Sequence, residues 1–205
     1  MTKSHVVNPG ARKLGRPGYD LDAVLLAAAQ TFTERGYDGT SMDDLARVLG
    51  LSKSALYHHV AGKEQLLQLA TDRALDGLTA VVEEAVAHDG PAADRLELLV
   101  RRSVDVLVAE LPFVTLLLRV RGNTATERRA IRRRREIDHA VAELVAKAVA
   151  DGDLRSDVEP QLTARLLFGM VNSLVEWYRP TRSGSDAAEL ADAVCAIAFA
   201  GLRRS

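Results

Sequence analysis

Cysteine is nearly missing from this 205-residue chain. Cys195 is the only one, so no intrachain disulfide can form, which fits a reducing cytoplasmic setting. Long apolar runs are missing too. The longest, 111–118 and 193–202, fall far short of the roughly 20 residues that a bilayer-spanning helix needs. The N-terminus has no apolar segment of the secretory kind, so neither a membrane nor export is expected. There is no glycine-rich phosphate loop. His58 and His59 are adjacent and leave a helix on different sides, while His5, His88 and His139 show no ligand spacing, so no metal is expected. Glu83, Glu84, Glu110, Glu143 and Glu176 are scattered, with no histidine or nucleophile in a recognisable pairing, and Cys195 lies in an apolar run that favours an inert thiol. The sequence therefore offers no catalytic residue and calls for no cofactor. No strand pattern survives either, which leaves an all-α chain without internal repeats.

What is present is a series of helical patterns. Residues 1–17 lack periodicity and acidic residues but carry Lys3, Arg12, Lys13 and Arg16, which reads as a flexible basic arm able to reach DNA. Leu21, Leu25, Ala28 and Phe32 recur at helical spacing after a potential cap at Asp20, and Gly36 ends that helix. Thr40 and Asp43 have capping-box spacing, Met42, Leu45 and Leu49 follow one face, and Gly50 can stop the turn. Ser52 then caps a second short helix with Ala55, Leu56, Tyr57 and His58. Two short helices in this arrangement form the helix-turn-helix pattern, whose second helix enters the DNA major groove. Longer helices are expected from Glu64 to His88, from about Ala92 to Ala109, and from Phe113 to Val120 after an interruption at Pro112. Thr124 or Thr126 opens another, Pro160 opens one reaching about Tyr178, and a last one spans about Asp186 to Arg203 after a loop at 180–185.

Thr40, Leu45-Ala46, Gly50-Leu51-Ser52, Leu56-Tyr57-His58-His59 and Lys63-Glu64-Gln65-Leu66 together resemble the DNA-binding segment of the TetR family of bacterial transcriptional repressors. The departures are Val60 and Leu49, where the family has other sizes of side chain. The resemblance implies about nine helices in a TetR-like fold. A helix-turn-helix DNA-binding domain at 18–64 would be followed by a ligand-binding and dimerisation domain at 65–205. It also implies DNA contacts at Thr40, Ser41, Lys53, Ser54, Ala55, Tyr57, His58 and Lys63. Tyr57 and His58 would hold phosphates, Lys63 would sit at a helix N-terminus favourable to an anion, and Lys53, Ser54 and Ala55 would reach base edges.

The last two helices carry apolar residues on most sides, and such helices must be covered on most sides. Either these helices are central to their own domain, or two copies pair them in a symmetric four-helix interface; the second is expected, as the resemblance also implies, with Leu167, Val171, Leu174, Val194, Ala198 and Leu202 in it. Phe113, Leu116, Leu117 and Val120, with Met170 and Trp177, are expected to line an apolar cavity. Eight arginines fall between Arg119 and Arg135, and extending the apolar series backwards along the helix brings Arg133 and Arg134 toward the inside, where a guanidinium needs an anion. The bland alternative for that cluster is a solvated surface paired with Glu127, Glu136 and Asp138. Gly169-Met170 and Trp177-Tyr178-Arg179-Pro180 resemble a subset of TetR-like regulators that sense acyl-coenzyme A thioesters, although Glu176 stands where some relatives carry Arg. The expected function is a homodimeric repressor on a palindromic double-stranded operator, released by a small-molecule effector of the acyl-coenzyme A kind. A neutral hydrophobic effector or a protein partner is the alternative.

Overall fold

The computed structural model describes residues 20–179 and 186–203; the basic arm and the 180–185 loop expected from the sequence lie outside them. Nine helices occur among the described residues: α1 Leu21–Arg35, α2 Met42–Leu49, α3 Lys53–His59, α4 Lys63–Ala87, α5 Ala92–Ala109, α6 Leu111–Arg119, α7 Ala125–Ala150, α8 Pro160–Trp177 and α9 Ala187–Leu202. The only pairing of the β kind among them is one isolated bridge between Leu154 and Arg203. No described helix is long and apolar enough to cross a membrane.

Local chemistry accounts for most helix ends. The Asp20 carboxylate accepts from Ala23 N at 2.9 Å and opens α1, and Thr124 with Glu127 forms a full capping box on α7. At α2 the capping box is made by Ser41 and Asp44, one residue later than the Thr40–Asp43 spacing suggests. Thr40 is unavailable because its hydroxyl donates to Gly36 O at 2.8 Å and bridges the turn after α1. Gly50 takes a left-handed conformation, φ 63°, which closes α2 in the tight turn before α3. The break expected at Pro112 falls two residues earlier, at Glu110, between α5 and α6. Pro112 itself sits in the first turn of α6, where a missing N–H goes unnoticed.

α4 is the central strut. It packs on α1 and α6 toward its start and on α5 and α7 along its length, with Leu66, Leu67, Ala70, Ala74 and Leu75 fully buried. α5 lies against α9, α7 and α8, and α7 packs on α8. Gly77 permits a close α4–α5 crossing, since a Cβ there would stand 3.0 Å from Val106 Cγ1. Polar ties join the N-terminal helices to the remainder. Arg73 of α4 grips Glu110 with two hydrogen bonds of 2.7 and 3.1 Å, pairs with Asp22 of α1 at 3.1 Å, and stacks over Phe113, 4.6 Å from the ring centre. Thr126 of α7 donates to Glu64 of α4 at 2.9 Å.

Leu56, fully buried, is the apolar anchor of the seven-residue α3, a helix too short to persist without packing. Leu56→Ala should lower the unfolding free energy by about 2–5 kcal/mol, measured in urea, because the cavity left beneath α3 has few ways to collapse.

Candidate DNA-binding head and effector cavity

α1, α2 and α3 form a small head around Val24, Ala28, Leu45, Leu49 and Leu56. Ser52 accepts from Ala55 N at 3.1 Å, so α3 begins at Lys53. Because Leu56 points inward, Lys53, Ser54, Tyr57 and His58 are left exposed and Ala55 partly so; Tyr57 keeps 46% of its surface in water. Lys53 is paired with Asp43 of α2 at 3.0 Å, and that contact pushes its ammonium pKa up.

The Asp44 carboxyl is held down at about 2 by the Ser41 hydroxyl and then by the Ser41 backbone N–H. Its folded value lies below its ordinary one, so the cap is fully formed above the ordinary carboxylate range and is lost as pH falls through about 2. Three of the residues expected at DNA have other work in this structure. Thr40 is 1% exposed, its hydroxyl turned inward, which corrects the expectation that this group reaches DNA. Lys63 donates to Tyr37 O at 2.8 Å and lies over the Tyr37 ring at 4.2 Å, tying the start of α4 to the α1–α2 turn. Ser41, likewise, closes the capping box of α2 with its side chain.

The eight residues expected to hold a ligand do not form one site. Leu117 and Arg134 line a cavity of about 230 Å³ between α4, α6, α7 and α8, together with Leu78, Val114, Ile137 and Phe168. Leu116 and Val120 face a different cleft, between α1 and the end of α6. Phe113 is buried under the Arg73 guanidinium. Arg133 is held by Asp72 at 2.9 Å and Asp76 at 2.7 Å, so its inward turn is answered by protein carboxylates. Met170 packs partly against the core, and Trp177 stands half-exposed on the outer side of α8.

The sequence pattern did not single out Arg165, which joins Arg134 and Asp138 on the same cavity from the neighbouring helix α8. Arg134 and Asp138 lie one turn apart on α7, and the α7–α8 contact brings in the second guanidinium. Burial pushes the Asp138 carboxyl up, and the charges of Arg134 and Arg165 pull it back only in part. Two guanidiniums against one carboxylate leave the cavity with net positive charge over an apolar floor.

The expected dimer residues also need correction. Leu167, Val171, Leu174, Val194 and Ala198 are buried within the single chain and Leu202 is half-buried, because α8 is pressed on α7 and α5, and α9 on α5. The opposite side is the open one. Leu166 and Ile197 are 62% and 68% exposed, Leu162 and Trp177 extend the stripe on α8, and Ala193, Ala200 and Gly201 keep α9 slim.

Residues 89–202 match the model of the tetracyclin repressor-like C-terminal domain, and 24–70 match that of the bacterial regulatory proteins of the tetR family. The chain belongs to the TetR family. The crystal structure of a TetR transcriptional regulator from Streptomyces coelicolor A3 superposes with a TM-score of 0.81 at 58% identity, covering 88% of this chain and 91% of that one. The transcriptional repressor KstR2 of Rhodococcus jostii (strain RHA1) is 32% identical over 158 residues, 75% of this chain and 76% of KstR2. AibR, solved in complex with isovaleryl coenzyme A and operator DNA, is 26% identical over 87% of this chain and 97% of its own, with a TM-score of 0.73.

Within this TetR-family cavity, Asp138 supplies a pH test. Its folded pKa is raised, so its charged form is the costly one and the cost appears as pH rises above the ordinary value of 3.8. Asp138→Asn should raise the melting temperature at pH 7 and leave it unchanged at pH 3, where the wild-type carboxyl is already protonated; thermal unfolding across that range reads the difference.

Proposed function

We propose that this TetR-family chain is a cytoplasmic homodimeric repressor. It binds a palindromic operator through α2 and α3 and leaves it when an acyl-coenzyme A enters the body cavity. The observation that carries the DNA reading is the exposed side of α3, where Lys53, Ser54, Tyr57 and His58 stand together on a helix pinned by Leu56. A head of about 18–64 reads DNA in this account and the remainder senses and dimerises. Two heads on successive major grooves must sit about 34 Å apart or a multiple of it, so an effector that favours another spacing releases the DNA by population shift.

The effector reading rests on the cavity's chemistry. An apolar floor of Leu78, Val114, Leu117 and Phe168 suits an acyl chain, and Arg134 with Arg165 suits the phosphates of a coenzyme A. A cavity of about 230 Å³ is smaller than the space usual for drug-sized ligands, which favours a short acyl chain. The likeness to AibR, whose complex holds isovaleryl coenzyme A, supports the same choice. Fluorescence anisotropy on a selected operator tests both halves. Affinity should fall steeply with salt, by a log–log slope of roughly −0.9 for each phosphate contact, and Lys53→Ala should weaken binding and relax specificity by about tenfold. Isovaleryl coenzyme A should release the DNA and isovalerate should not, with Arg134→Gln/Arg165→Gln blunting the response. Release by neutral hydrophobic compounds alone would replace this effector with the alternative one.

The dimer reading rests on Leu162, Leu166, Trp177 and Ile197, an apolar stripe that one chain leaves in water. Leu166→Asp and Ile197→Asp alter positions open in the single chain, so both variants should stay folded. Sedimentation at micromolar concentration should then give a folded monomer; an unchanged dimer would move the interface elsewhere.

A further inference from the structure

A second cleft, of about 530 Å³, lies at the joint between the head and the body. One wall is the last turn of α1 and the turn into α2, with Phe32, Thr33, Arg35 and Tyr37. The other is the end of α6 and the loop after it, with Leu116, Arg119, Val120 and Arg121. Leu67 of α4 closes the bottom. The cavity proposed for the acyl-coenzyme A shares none of these residues.

The polar groups in this cleft are unevenly matched. Glu127 is buried, with its carboxylate occupied by Asn123 N at 2.5 Å and Thr124 N at 3.3 Å. Arg119 donates to Thr33 O at 3.0 Å, a hydrogen bond that crosses the cleft directly. Arg35 and Arg121 meet no carboxylate among the described residues, and the single loose acid facing them is Asp38. The Thr33 hydroxyl is the clearest signal. Thr31, Thr40, Thr71 and Thr115 each donate to the carbonyl four residues earlier. Thr33 Oγ1 is buried with no hydrogen-bond partner, alone in this among the described side chains. A buried hydroxyl without a partner costs free energy, and a ligand oxygen would remove that cost. The Tyr37 phenol also lines the cleft; burial first, then Glu64, Asp38 and Glu127, push its pKa up, so it stays a neutral donor.

We propose that this joint cleft is a second ligand site, for an organic monoanion with an apolar body, and that its occupant sets the attitude of the head. The anion meets Arg35 and Arg121, the apolar part lies along the wall formed by Phe32 and Leu116, and a small parting of the walls brings the sealed Thr33 hydroxyl within reach of the anion. Because the two walls belong to the head and the body, the ligand favours the attitude that shapes this cleft. By linkage, the operator and the ligand then alter each other's affinity by one common factor.

Octanoate is a suitable probe, with octanol as its neutral counterpart and inorganic phosphate as an anion without an apolar part. Calorimetry is done on the full chain carrying Arg134→Gln/Arg165→Gln, so that the body cavity has lost its cations. Octanoate should bind once per chain, and octanol and phosphate each about tenfold more weakly or not at all. Arg121→Gln should weaken octanoate by about tenfold. Thr33→Val should weaken it too, yet raise the melting temperature of the free protein, because it deletes an unpartnered hydroxyl; a purely structural residue would not do both. Saturating octanoate should also change operator affinity at least about fivefold in the same background, a coupling of the usual allosteric size. Equal binding of octanol, indifference to Arg121→Gln and Thr33→Val, or an operator affinity unmoved by bound octanoate would overturn the proposal. The binding arm needs no operator, so its outcome is separate from the repressor reading.

Discussion

Leu66, Leu67, Ala70, Ala74 and Leu75 give α4 an apolar stripe that water does not reach, and the rest of the structure depends on keeping that stripe covered. α1 and α6 cover its start while α5 and α7 cover the remainder, so one helix is shared by the part that would read DNA and the part that would sense a ligand. A rigid shared helix transmits displacement without any special route between sites. The polar ties are arranged about it in the same sense. Arg73 reaches Glu110 and Asp22, Glu64 receives Thr126, and Lys63 holds Tyr37, so α4 is bonded to α1, to the turn after it, to the α5–α6 junction and to α7. Several of these are partly exposed and individually weak, so each could be exchanged at little cost.

Much of this architecture was legible beforehand because local chemistry decides it. Asp20, Ser52, Thr124 and Pro160 open the helices that their side chains or rings predict, and Gly36 and Gly50 close theirs. The failures are of another kind. On α8 the sequence showed two apolar faces, Leu162–Leu166–Trp177 and Leu167–Val171–Leu174, and nothing in periodicity says which one its own chain will cover. The packing of α7 and α5 decides it, and it takes the second face, leaving the first in water in the single chain. The site residues failed for a related reason. Leu116 and Leu117 are neighbours in sequence yet line different spaces, because one turn of α6 faces both the head and the body.

The arginine run from Arg119 to Arg135 resolves into separate roles once its surroundings are known. Arg129 and Arg133 neutralise Asp72, Arg133 also reaches Asp76, and Arg128 donates to the carbonyl oxygens of Gly122 and Asn123. Arg119 crosses to α1, and Arg134 is left on the cavity beside Asp138 and Arg165. Consecutive residues on a helix point in successive directions about 100° apart, so a charge run is distributed around the axis rather than pooled. Composition therefore overstated the positive charge available to any single ligand.

Gly169 lines the body cavity from α8 and is itself exposed, and a Cβ built there would touch nothing within 4 Å. It lies beside Leu166 and Met170, on the side of the helix that a second copy would cover. Were a second copy to assemble on that face, its surface would lie over the one lining position of the cavity that carries no side chain. A bound molecule's residence time would then depend on the lifetime of the pair as well as on its own contacts.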